Sequence, residues 1–136
     1  MTRRWTALTL AIGLGLALPA YGARAAGLIV IAHPDVDLPA GEIKDVYIGE
    51  KQFAGAVKLV PVDNALAQDE FLRHALAMDP IKYNATWTKK GFRDGLNPPA
   101  VKSSDVEVIE FVKRTPGAIG YVTSAPQAGV TVIHKY

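Results

Sequence analysis

The chain of 136 residues contains no cysteine, and that absence excludes disulfides, thiolate metal sites, a cysteine nucleophile and a lipid anchor on an N-terminal cysteine. Charge excess is also missing. Fifteen Lys and Arg stand against thirteen Asp and Glu, a formal net charge of +2. Nucleic-acid binding normally requires a strong basic excess or a Lys/Arg stripe interleaved with aromatics, and the short cluster Lys89, Lys90, Arg93 provides neither. There is no HExxH pair, no glycine-rich phosphate loop and no nucleophile elbow. His33 with Asp35 and Asp37 matches no metal-ligand spacing, so no catalytic residue, metal site or cofactor is expected and the chain does not read as an enzyme.

What is present begins with an export signal. Arg3 and Arg4 precede the apolar run from Ala7 to Leu18, followed by Pro19 and the small-residue site Ala23-Arg24-Ala25. The run is shorter than the roughly 20 residues a spanning helix needs, so residues 1–25 are expected to be a cleaved signal peptide. Cleavage leaves a single domain, residues 26–136, with 12 Lys and Arg against 13 Asp and Glu once Arg3, Arg4 and Arg24 are gone. In a Gram-negative host that domain is periplasmic, and it is large enough for one compact core but not for two.

The pattern after residue 27 alternates strand and helix. Leu28–Ala32 is a continuous apolar run, as in a strand covered on both faces, and is expected at the sheet centre. Ile43, Val46 and Tyr47 repeat at helical spacing, with Gly49 placed to end a short helix. The segment 57–62 reads as a strand, and 68–78 as a helix with Phe71, Leu72, Ala75 and Met78 inward. Asp79-Pro80 offers an N-cap and first-turn proline for a further helix, on which Ile81, Ala85, Thr88 and Phe92 share one side. The loop 95–99 follows. Ser104 and Glu107 form a capping box for a helix whose Val108, Ile109 and Val112 lie on one face, and Lys113 and Arg114 suit its C-terminal dipole. Thr115-Pro116-Gly117 forces a turn into the strand Ile119–Val122, and 130–133 closes the chain as a last strand.

Such an order predicts an α/β fold, a three-layer lobe with a mainly parallel sheet and right-handed crossovers. Ligands gather at the carboxyl ends of parallel strands, which singles out the loops 33–37, 63–68 and 124–129.

Several segments, in order, resemble the periplasmic substrate-binding proteins of phosphate importers: Glu42 to Lys51, then Val60-Pro61-Val62 ahead of the helix with Phe71, then Trp87, and finally Arg114-Thr115-Pro116-Gly117-Ala118-Ile119-Gly120-Tyr121-Val122. The resemblance implies half of a type 2 periplasmic binding-protein fold and an exported solute-binding-like module, for phosphate or another small oxyanion, in transport or sensing. Implied partners are a small anion and a membrane permease or sensor protein. The full-length phosphate binders present an arginine and a Ser-Gly-Thr set after the second strand, whereas this chain has Asp63-Asn64-Ala65-Leu66-Ala67-Gln68-Asp69-Glu70. Asp69 and Glu70 there are ordinary first-turn helix stabilisers. With the arginine absent from that turn, the ligand-binding candidates are Asn64, Lys90, Arg93 and Ser103, Arg93 foremost because its planar fork holds an oxyanion bidentately. The alternative is a non-catalytic interaction module that has lost ligand binding, working through self-association or a membrane receptor.

Overall fold

The computed structural model describes residues 27–126 and 128–136, so the expected signal peptide lies outside the described residues. Among the described residues seven strands and four α-helices follow in order: β1 Ile29–Ala32, α1 Ile43–Tyr47, β2 Phe53–Ala54, β3 Val57–Lys58, β4 Val60–Asn64, α2 Gln68–Phe71, α3 Pro80–Asp94, β5 Ala100–Lys102, α4 Asp105–Arg114, β6 Ala118–Val122 and β7 Thr131–Lys135. The main sheet has the order β5-β4-β6-β1-β7, and β2 and β3 form a separate hairpin. β4 pairs in parallel with β5 and β6, while β1 runs antiparallel to both its neighbours, so four of the five strands share one direction.

Alternation along the strands divides the core in two. Val30, Ala32, Ile119 and Tyr121 face α1, α2 and α3, where they meet Tyr47, Phe71, Leu72, Leu76, Tyr83 and Trp87. Ile29, Ile31, Val62, Ala118 and Val122 face α4 and its Val108 and Val112. Helices on both faces of one sheet give the expected three-layer α/β lobe. Phe71 stacks on Tyr121 with ring centroids 3.9 Å apart, and the edge of Tyr47 meets Phe71 at 4.6 Å. The Tyr47 hydroxyl donates to the Val62 carbonyl at 2.9 Å and the Trp87 indole N–H to the Tyr47 carbonyl at 3.1 Å, so these large side chains bury their polar atoms with partners.

Several expectations change. β6, not β1, is the middle strand, and because β1 runs the other way its following loop 33–37 leaves at the opposite end of the sheet from Asp63 and Ser124. There the Asp35 carboxylate accepts from the Gly117 amide at 3.0 Å and pins the turn that opens β6. On α3 the inward face is Tyr83, Trp87 and Lys90, whereas Ile81 and Phe92 are 82% and 91% exposed. The Phe71 helix continues past α2 as one π turn, Leu72–Leu76, and stops at Ala77 with φ 51°; Leu76 joins Phe71 and Leu72 in the core, and Ala75 and Met78 pack half-buried against it. Finally, the single strand expected over 57–62 is divided, with Val57–Lys58 in the hairpin and Val60–Asn64 in the sheet, and Ala100–Lys102 adds an edge strand directly after the 95–99 loop.

Candidate functional site

The carboxyl ends of β4 and β6 lie side by side, and the first turn of α4 closes over them. β4 ends in Asp63 and Asn64, both buried, and β6 runs into Thr123 and Ser124. Two polar systems result, one on each side of the sheet: that around Asp63 is buried, and that around Asp105 joins the buried Asn64 to the exposed Thr123 and Ser124.

On the α3 side, Asp63 receives the hydroxyls of Tyr83 and Tyr121, each at 2.8 Å. Burial raises the Asp63 carboxyl above its ordinary range, against the lowering effect of those two donated bonds. The same burial, with the Asp63 charge beside them, pushes both phenols far above their usual values, so they remain donors.

On the α4 side, Asp105 is the first residue of α4, and its carboxylate is gripped by five donors. Oδ2 accepts from the amide and hydroxyl of Thr123 at 3.1 and 2.8 Å, and from the amide and hydroxyl of Ser124 at 3.1 and 3.0 Å. Oδ1 accepts from Asn64 Nδ2 at 2.8 Å. Asn64 is itself locked: its Nδ2 also donates to the Tyr121 carbonyl at 3.0 Å, and its Oδ1 accepts from the Leu66 amide at 3.1 Å. Desolvation acts to raise the Asp105 carboxyl, but the bonds from Thr123, Asn64 and Ser124 together hold it below its ordinary range. Two backbone amides, two hydroxyls and a carboxamide converging on one anion form an oxyanion cradle in the chemical sense. Beside Ser124 opens a cleft of about 300 Å³ between Val106, Ile109, Glu110 and Lys113 of α4 and Ala125.

The four residues singled out from the sequence fall at two ends of the molecule. Asn64 is in the cradle. Ser103 stands close by, one residue past Lys102, which pairs with Asn64 across β4 and β5; its amide donates to Glu107 Oε2 at 2.9 Å. The capping box is therefore offset by one residue, with Ser104 Oγ accepting from the Glu107 amide at 3.3 Å and the Glu107 carboxylate reaching Ser103. Lys90 and Arg93 belong to the other end. α3 runs against the direction of β4, from Tyr83 beside Asp63 to Trp87, Leu96 and Asn97 beside Leu59 and Pro61. Lys90 lies under Trp87 and Gly49 and pairs with Glu50 at 3.0 Å, and Arg93 is exposed beside Asp94. The geometry does not bring Lys90 or Arg93 to Asn64 and Ser103.

Thr123, Asp105 and Asp63 were not among those candidates. Ser124 opens one of the three loops singled out, and the available signal was a Thr-Ser pair directly after a buried strand together with an Asp at the first position of the preceding helix.

Among the described residues no helix is long and apolar enough to cross a membrane, and no group of three or more His, Asp or Glu is placed to hold a metal ion. No family model matches the chain, and no curated protein matches it. Among solved structures, the crystal structure of PstS from Borrelia burgdorferi is similar, with a TM-score of 0.48 and 18% identity. The match covers 71% of this chain and 40% of that one, so the chain spans well under half the length of that protein.

Proposed function

We propose that the protein is an exported, non-catalytic module of solute-binding type that takes a small oxyanion, or a solute carrying one, at the carboxyl ends of β4 and β6. The observation that carries this reading is the convergence of five hydrogen-bond donors from Asn64, Thr123 and Ser124 on a single carboxylate. Neutral donors converging on one point recognise an anion without a counter-charge, because the anion exchanges water bonds for bonds to the protein. The adjoining cleft has the volume of the smaller ligand sites and offers Lys113 to the solute's remaining charge. Sequence resemblance to phosphate-importer binding proteins supports the same class of ligand, and delivery to a permease or sensor follows from that resemblance.

Calorimetric titration of the purified protein with phosphate, sulfate and acetate tests the reading. A weak saturable heat, abolished in a Thr123→Ala, Ser124→Ala double variant, is expected. Absence of heat, or heat that the double variant retains, contradicts it.

A second reading rests on a different observation. Leu66, Ile81, Val101 and Val106, all 58–82% exposed, lie on the turn after β4, on β5 and on the first turns of α3 and α4, around this same rim. Exposed apolar side chains gathered on one rim mark a protein-contact surface. A dimer or hetero-complex in light scattering that is lost in Leu66→Glu, combined with no oxyanion heat, favours the interaction module.

A further inference from the structure

We propose that the Asn64, Thr123 and Ser124 cradle is an oxyanion site held shut by the chain's own Asp105, so that removing this carboxylate admits a free tetrahedral oxyanion of the phosphate or sulfate class. The inference deepens the proposed function and rests on its placing of recognition at this rim.

The geometry supplies three supports. First, all five donors are directed at one acceptor group, and every distance falls between 2.8 and 3.1 Å, within the ordinary hydrogen-bond range. Second, Asn64 is anchored independently of Asp105, by Tyr121 and Leu66, while Thr123 and Ser124 are exposed residues that directly follow the buried strand β6. Vacating the cradle therefore leaves an oriented carboxamide and frees the Thr123 and Ser124 donors beside it. Third, the occupant is one side chain on the first turn of α4, and neighbouring Ser104 and Glu107 maintain the helix cap without it. A carboxylate and one edge of a phosphate present the same pair of acceptor oxygens to such donors. While Asp105 is seated, a free anion must displace both its bonds and its charge, which makes Asp105 an internal competitor.

The test compares wild type, Asp105→Gly and Asp105→Asn by calorimetry with inorganic phosphate and with sulfate. Asp105→Gly empties the cradle, and an affinity at least about tenfold tighter than wild type is expected for one or both anions. Asp105→Asn keeps the volume filled but removes the charge, and no such gain is expected. An Asp105→Gly protein that is folded and shows no gain overturns the proposal. So does an equal gain in Asp105→Asn, since loss of charge rather than vacancy would then be the cause.

If Asp105→Gly is unfolded in plain buffer, recovery of its far-ultraviolet circular dichroism by formate, phosphate or sulfate, but not by chloride at equal ionic strength, supports the proposal, and no recovery overturns it. The arms also separate the two readings. Saturable wild-type heat without a gain in Asp105→Gly leaves the proposed function standing and removes the internal competitor. A gain in Asp105→Gly with no wild-type heat supports the competitor and contradicts native solute binding.

Discussion

The Tyr121 hydroxyl donates to Asp63 Oδ1 at 2.8 Å, joining the middle strand of the sheet to its neighbour through a buried carboxylate. Tyr83 donates to Oδ2 of the same carboxylate at 2.8 Å. Removing one donor leaves the buried charge half-satisfied, so Tyr121→Phe should cost about 1.5–3 kcal/mol at neutral pH in urea unfolding. The sign with pH follows from the raised Asp63 carboxyl: the folded state favours its proton, so this group's contribution is fullest in acid and is lost as pH rises through the raised value. Losing the Tyr121 bond, which opposes that rise, makes the loss steeper. The destabilisation by Tyr121→Phe should shrink between about pH 7 and about pH 4. A difference that stays constant over that interval contradicts this account of Asp63.

Asp105 behaves in the opposite sense. Its carboxyl is held below the ordinary value of 3.8, so its stabilising effect is present above that value and is lost as pH falls through the depressed one. Asp105→Asn should flatten the acid limb of the stability curve while leaving the neutral-to-alkaline limb unchanged in shape. Unfolding curves for the two proteins that stay parallel down to the most acidic point measured contradict the strength assigned to the cradle.

The orientation of α3 has a direct mutational signature. Trp87 is buried and hydrogen-bonded to the Tyr47 carbonyl, and Phe92 is 91% exposed. Trp87→Ala should cost about 3–5 kcal/mol, and Phe92→Lys should stay within about 0.5 kcal/mol of wild type. Thermal denaturation of the pair decides it; comparable losses would mean that α3 presents its other side to the sheet.

Gly120 sits where α4 crosses β6. A Cβ placed there would lie 2.5 Å from Val108 Cγ1 and 3.3 Å from Val62 Cγ2, so the helix can approach this closely only over a glycine. Gly120→Ala should destabilise by about 1–3 kcal/mol. Because α4 also carries Asp105, the bonds to Thr123 and Ser124 should lengthen with it, visible as weakened hydrogen-exchange protection of those two amides. Unchanged protection would show that the α4 first turn is positioned independently of the crossing.

The layered α/β architecture was legible in the chain because its signals are local. The run Leu28–Ala32, the Ser104 cap and the Thr115-Pro116-Gly117 turn each specify an element through nearest neighbours, and all three are found. Strand direction was not legible in the same way: β1 is apolar on both faces whether its neighbours run with it or against it, so its antiparallel pairing, and with it the location of His33 and Asp35, depends on long-range register. On α3 the apolar Ile81 and Phe92 stay on the exposed side and Tyr83 and Lys90 turn inward, because the sheet offers Asp63 to the Tyr83 hydroxyl and the segment after α1 offers Glu50 to Lys90. Polar partners decided that face. Asn64 was identifiable from its place at the end of a strand, while Asp105 meets Thr123, Ser124 and Asn64 across 18 to 41 residues of sequence, and they become a site only through the adjacency of β4, β6 and α4.

The most direct measurement is an amide chemical-shift titration of ¹⁵N-labelled wild type and Asp105→Gly with phosphate and with sulfate. The account predicts saturable shifts centred on Thr123, Ser124 and the Asn64 side-chain amide, reached at lower anion concentration in Asp105→Gly. Shifts centred instead on Lys89 to Arg93, at the opposite end of the sheet, or no saturable shift in either protein, would contradict it.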